Sequence, residues 1–197
     1  MIAKSPSTSD RIVGLIVADR ESGPRGLPAA FDAPFAETTV LNATIARLRR
    51  CPSLRDVVVI HPADQAPPDV RGATLRATQH TVREDGWARA VAGRKWSPNA
   101  WRGGLGGATV YDEVFHARAM AEAMAAANAG AAIVVGPDWP LVDPDLCEQV
   151  IDRHREAPES LRMTFTQAPP GLCGVLMARS LIEELAESGA TIGAMLD

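Results

Sequence analysis

The sequence predicts an α/β fold: a Rossmann-like, mostly parallel sheet with helices on both faces. Three observations point there. The runs RIVGLIVA (Arg11–Ala18), DVVVIH (Asp56–His61) and Ile133–Val135 are apolar without in-out alternation, as in strands covered on both sides. Segments with helical spacing of apolar residues alternate with them. The chain of 197 residues is long enough for one such domain with a full core.

Taken in order, residues 1–10 (MIAKSPSTSD) are polar and read as a disordered lead-in, with a single domain over 11–197. Arg11–Ala18 is the first strand. Asp19–Pro34 carries Gly23, Pro24, Gly26 and Pro28 among charges, which makes it a loop. Thr38 or Thr39 caps a helix to about Arg50, with Val40, Leu41, Thr44, Ile45 and Leu48 on one face. Cys51-Pro52-Ser53 ends it. Asp56–His61 and a short Ala73–Thr78 follow as strands. Strand, helix, strand at this spacing is a βαβ unit with parallel strands.

Arg83–Val91 reads as a short helix, and the following RKWSPNAWRGGLGGATVYDE as a mobile or ligand-facing insertion. Tyr111–Asn128 has the strongest helical pattern, with Val114, Ala117, Met120, Ala121 and Met124 on its stripe and Gly130 after its end. The strand at Ile133–Val135 stops at Gly136-Pro137. Asp143-Pro144 opens a helix to about Glu156. Strands are expected at Arg162–Thr166 and Leu172–Ala178, helices at Ser180–Ser188 and in the final TIGAMLD.

Composition excludes several classes. A net charge of −4 argues against a nucleic-acid partner. No apolar run approaches the roughly 18 residues of a membrane span, and the N-terminus lacks the apolar core of a signal peptide. The three cysteines, Cys51, Cys147 and Cys173, have no metal spacing. We expect a cytoplasmic protein, with a homodimer left open. Lys4 and Lys95 are the only lysines, so positive charge is carried by arginine.

Two motifs carry the functional reading. Gly14–Pro28 is GLIVADRESGPRGLP, in which Arg20, Ser22, Arg25, Leu27 and Pro28 fall near the pattern A-R-x-x-S-x-R-L-P-x-K. Val134–Asp145 is VVGPDWPLVDPD, where Asp138, Pro140, Leu141 and Pro144 match G-D-x-P-L-(I/V)-x-P. Together they resemble the sugar-nucleotide cytidylyltransferases, the group of the CMP-sugar synthetases and the spore-coat polysaccharide cytidylyltransferases. More broadly, they are similar to the GT-A, nucleotide-diphospho-sugar-transferase-like fold.

The resemblance implies a domain that binds a nucleoside triphosphate, CTP above the others, with Mg²⁺. It would transfer the nucleotide to a sugar or sugar phosphate for surface-polysaccharide synthesis. Charge builds on phosphate oxygens in such a reaction, so cations and backbone N–H groups do most of the chemistry. The catalytic candidates are Arg20 and Arg25 as phosphate clamps and Asp138 as the Mg²⁺ ligand. Ala18, Asp19, Ser22, Gly23, Gly136 and Gln167 would line the nucleotide and sugar. The family's loop ends in lysine where Ala29 or Ala30 stands here. Its late acidic metal ligand finds no counterpart before Asp197, so we expect a domain cut short at its C-terminus. The alternatives are a non-catalytic nucleotide- or sugar-binding domain and a GT-A glycosyltransferase.

Each candidate has a plainer role beside the chemical one. Asp138 lies between prolines and suits a turn. Asp143 and Asp145 suit the N-cap and first turn of the following helix. Trp96, Trp101 and Tyr111 stack on a base or simply pack their loop. Gly103, Gly104, Gly106 and Gly107 follow no strand and lack a phosphate-loop Lys-Ser/Thr. His61 reads as structural.

Overall fold

The computed structural model describes residues 11–21, 28–80 and 109–196. The lead-in, the Arg83–Val91 helix, Trp96, Trp101, the four glycines of 103–107, and Ser22, Gly23, Arg25 and Leu27 lie outside the described residues.

The chain runs β1 (Ile12–Val17), β2 (Pro34–Phe35), β3 (Thr38–Thr39), α1 (Val40–Leu48), β4 (Leu54–Pro62) and β5 (Thr74–Thr78). It continues with α2 (Ala117–Ala127), β6 (Ala131–Val135), α3 (Pro144–Glu156), β7 (Met163–Thr164), β8 (Val175–Ala178), α4 (Arg179–Ser188) and α5 (Ile192–Leu196). One sheet has the order β5-β4-β1-β6-β8-β7. β5, β4, β1 and β6 pair in parallel; β8 is antiparallel to both of its neighbours. The mostly parallel α/β sheet with covering helices is therefore observed.

The central strands owe their place to composition. Every residue of β1 and of β6 is buried. Each Ile, Leu or Val withdrawn from water there contributes about 1.5–3 kcal/mol, and no polar side chain interrupts the runs. Helix α1 begins where expected: Thr39 caps it, its hydroxyl accepting from the Asn42 N–H, and Leu41, Ile45 and Leu48 face the core. Glu148 of α3 ties the two helices of that side together. Its carboxylate accepts from the Cys51 thiol, from the Ser53 N–H at 3.2 Å and from the Ser53 hydroxyl. On the other side α2 meets α4, with Arg118 Nε donating to the Ala186 carbonyl at 3.4 Å.

Several expected boundaries move. The helix expected from Tyr111 starts at Ala117. Val110, Tyr111, Asp112, Glu113, Val114 and Phe115 are all buried, which no single helical stripe allows. Asp112 holds this segment instead, accepting from Thr109 N (2.6 Å) and Oγ1 (2.9 Å) and from Ile192 N (2.6 Å) and Gly193 N (3.2 Å). The carboxylate thereby pins α5 to the turn before α2. β4 is longer than Asp56–His61, while β7 and β8 are shorter than the runs that contain them. The β2–β3 pair lies partly inside the segment read as loop.

Candidate functional site

Strand order places the site. From β1 the chain moves outward through β4 to β5, then returns to lay β6 on the opposite side of β1. Open α/β sheets bind ligands at the carboxyl ends of the strands where the order reverses. Here those are the ends of β1 and β6. Their last paired residues are Ile16 and Val135, so Asp19 and Asp138 each stand three positions beyond the pairing.

Ala18 is fully buried, its N–H donating to the Ile60 carbonyl at 2.8 Å. Asp19 is 1% exposed; its Oδ1 accepts from the Glu21 N–H at 3.0 Å and from the Gln65 side-chain amide. Arg20 is held by protein. Its N–H donates to Gln65 Oε1 (3.0 Å), its Nε to Asp32 (2.8 Å) and its Nη1 to the Ala66 carbonyl, and its guanidinium lies over the Phe31 ring. Ala29, near the family's lysine position, donates its N–H to the Arg20 carbonyl at 2.9 Å.

Beyond β6 the loop is packed by Trp139. A Cβ at Gly136 would sit 2.5 Å from the Trp139 indole nitrogen, so the loop needs glycine there for the ring to fold back. The Trp139 ring also reaches Gly171, and the Asp143 N–H donates to the Leu172 carbonyl at 2.7 Å. Arg47 of α1 donates from Nε to the Val142 carbonyl at 2.7 Å. The loop is braced from two sides.

Asp138 is the candidate metal ligand of that loop. Its Oδ1 is buried without a hydrogen-bond partner. Burial first, and then the like charge of Glu113, push its carboxyl above the ordinary aspartate range, against a backbone hydrogen bond that lowers it. Glu113, itself 7% exposed, was missed in the sequence because YDEVF reads as part of a helix. A buried carboxylate pushed up by a like charge beside it suits a hard divalent cation, which takes oxygen donors and would offset that repulsion. Among the described residues no group of three His, Cys, Asp or Glu side chains forms a metal cluster.

Other candidates fall into plainer roles or stand apart. Asp143 is the N-cap of α3, accepting from Asp145 N (2.8 Å) and Leu146 N (3.2 Å), with Pro144 in the first turn. His61 is buried against the Pro62 carbonyl at 2.9 Å. Tyr111 is 1% exposed, and its ring sits 6.0 Å from that of Phe165; burial raises its phenol. Gln167 is exposed on the loop before β8. The structure thus brings Ala18, Asp19 and Arg20 to one strand end and Gly136 and Asp138 to the neighbouring one. No helix among the described residues is long and apolar enough to cross a membrane.

No family model and no curated protein sequence matches the chain. Solved structures do. A cytidylyltransferase from Leptospira borgpetersenii aligns over 94% of this chain and 67% of its own, with TM-score 0.59 and 18% identity. A CMP:2-keto-3-deoxy-manno-octonic acid synthetase complexed with CTP aligns over 94% and 81%, with TM-score 0.56 and 11% identity. The 2-C-methyl-D-erythritol 4-phosphate cytidylyltransferase of Thermus thermophilus aligns over 93% and 82%, with TM-score 0.50 and 18% identity. The chain has the cytidylyltransferase-like, nucleotide-diphospho-sugar-transferase type of fold.

Proposed function

We propose that the domain binds CTP with a divalent cation, Mg²⁺ in the cell, where β1 and β6 end, and transfers the cytidylyl group to a sugar or sugar phosphate. The observation that supports this most is the placement of Asp19 and Asp138 at the ends of adjacent strands at the strand-order reversal, each three positions beyond the last β1–β6 pair. Solved structures of like fold are cytidylyltransferases, one of them complexed with CTP.

In this reading an oxygen of the acceptor bonds to the α-phosphorus, the bond from that phosphorus to the bridging oxygen breaks, and pyrophosphate leaves. Asp138 would hold the cation, with Glu113 beside it; when bound, the cation neutralises charge on the phosphates. Arg20 is oriented in advance by Asp32 and Ala66, which reduces the ordering needed to meet a phosphate. Arg25 would share that task. Ala18, Asp19, Ser22, Gly23 and Gly136 would border the nucleotide, and Gln167 the sugar. We extend the reading to a cytoplasmic enzyme of surface-polysaccharide synthesis.

A second reading, nucleotide binding without turnover, draws on Ala29 and Ala30 near the family's lysine position. Arginine elsewhere does not replace a lysine point charge at a phosphate. Calorimetry with CTP, ATP, GTP and UTP, with and without Mg²⁺, tests both. Metal-dependent CTP binding that disappears in Asp138→Ala supports the site. Absence of binding by any nucleotide overturns it. Binding without pyrophosphate release from a panel of sugars and sugar phosphates selects the second reading.

A further inference from the structure

Gln65 lies in the loop ADQAPP that follows β4, remote in sequence from both functional motifs. Its side-chain amide nevertheless spans two consecutive residues at the end of β1. The NH₂ group donates to Asp19 Oδ1, and the carbonyl Oε1 accepts from the Arg20 N–H at 3.0 Å. Only one orientation of the amide satisfies both, since a carboxylate can only accept and a backbone N–H can only donate. The same loop takes Arg20 Nη1 on the Ala66 carbonyl. The loop itself is fixed to the sheet: Ala63 N–H donates to the Thr78 carbonyl of β5 at 2.9 Å, and Gln65 N–H to the Pro62 carbonyl at 3.1 Å.

We propose that Gln65 is a positioning residue of the nucleotide site, setting the Asp19 carboxylate and the Arg20 backbone from the end of β4. The proposal rests on the nucleotide reading above. Gln65 acts through Asp19 and Arg20, and no contact of its own with substrate is required. An amide suits the position because it is neutral. A carboxylate there would face Asp19 with like charge, and an apolar side chain would take away one of the donors to Asp19 Oδ1, leaving the Glu21 N–H, and would strand the Arg20 N–H. Among the described residues, the charged groups bonded to it or to its partners are Asp19 and Arg20 at the end of β1 and Asp32 paired with Arg20; Glu21, whose N–H meets Asp19, and Asp64 are chain neighbours.

Gln65→Glu keeps the shape and, when protonated, the donor. Gln65→Leu removes both bonds. Each variant is first compared with wild type in circular dichroism and thermal melting. Hydrogen exchange at the Arg20 amide and calorimetric CTP affinity are then measured between pH 5.5 and 8. In Gln65→Leu the Arg20 amide exchanges faster and CTP binds about tenfold more weakly at every pH, the scale of one charge-assisted hydrogen bond. In Gln65→Glu affinity is below wild type at pH 8 and recovers toward it as pH falls and the carboxyl takes up a proton, while wild type lacks that recovery. Such a profile separates positioning from a general packing defect. Unchanged Arg20 exchange and unchanged affinity in a folded Gln65→Leu protein would overturn the proposal. If wild type binds no CTP, the nucleotide reading fails, and Arg20 exchange still decides whether Gln65 sets the end of β1.

Discussion

Glu113 and Asp138 come from segments on opposite sides of α2 in the chain, yet the charge of one raises the carboxyl pKa of the other. The first is buried before α2 begins; the second ends the β6 loop with one oxygen buried and unpartnered. Like charges so placed cost stability when both are ionised, and in the reading proposed above a bound divalent cation would offset that cost.

The proposed cation site predicts that divalent metal stabilises the protein. The folded pKa of Asp138 lies above its unfolded value, so its contribution is present at low pH and lost as pH rises through the folded value. Asp138→Asn removes this loss and raises the melting temperature at pH 8 more than at pH 4. Millimolar Mg²⁺ or Mn²⁺ raises the melting temperature of wild type at pH 8 by mass action. It leaves Asp138→Asn unmoved. Equal metal shifts in both proteins would remove Asp138 from the cation site.

Asp112 performs a different task one residue away. It accepts from two groups of Thr109 and from the first two N–H groups of α5. Asp112→Ala strands several buried donors, and we expect a loss of about 3 kcal/mol in urea unfolding. Since α5 is released with it, hydrogen exchange at Ile192 and Gly193 rises before global unfolding. A loss below about 0.5 kcal/mol would show that this carboxylate braces nothing.

The sequence was legible where the chemistry is local. β1 and β6 are readable because burial on both faces demands unbroken apolar runs. The Asp143 cap is readable because an N-cap bonds to residues two and three positions ahead. Gln65 and Glu113 were not readable. Gln65 meets Asp19 across 46 positions, and a polar residue in a proline-rich loop carries no sign of such a partner. Glu113 was hidden because Val114, Ala117, Met120 and Ala121 continue a helical stripe back through it, whereas the chain from Val110 to Phe115 is buried, mostly in turns, and the helix starts only at Ala117. The short pairings of β2 with β3 and of β7 with β8 depend on tertiary contacts that their few residues do not encode.

Glu148 links α3 to the turn between α1 and β4, and its pH dependence has the opposite sign to that of Asp138. Burial works to raise its carboxyl, but hydrogen bonds from Cys51 and Ser53, with the charge of Arg155, hold it below its ordinary value of 4.5. Its contribution is present above that value and is lost as pH falls through the folded one. Glu148→Ala costs about 1 kcal/mol near pH 7, a modest figure because the side chain is still 26% exposed and its charge is partly screened. The difference from wild type shrinks in chemical denaturation at pH 3. The partner thiol of Cys51 is pushed up to about 12, first by burial and then by Glu148, so it stays protonated and unreactive toward alkylating reagents in the native state. Brisk alkylation of Cys51 without unfolding would contradict this arrangement.

Gly136 tests whether the Asp138 loop must be built as it is. A methyl group there would lie 2.5 Å from Trp139 Nε1 and 2.8 Å from two ring carbons, closer than packed atoms approach. The indole cannot retreat freely, because it also lies near Gly171 and the loop is anchored through Val142 to Arg47 and through Asp143 to Leu172. Gly136→Ala thus pushes either the ring or the backbone that carries Asp138. Overpacking of this kind costs about 1–3 kcal/mol. Trp139→Leu in the same chain relieves the clash, so the double variant recovers part of the stability lost by Gly136→Ala alone. CTP affinity distinguishes the two displacements. If the backbone moves, Asp138 leaves its place and binding weakens even where stability is restored; if only the ring moves, affinity follows stability. A Gly136→Ala protein as stable as wild type, binding CTP equally well, would show that the close approach of Trp139 has no part in shaping the site.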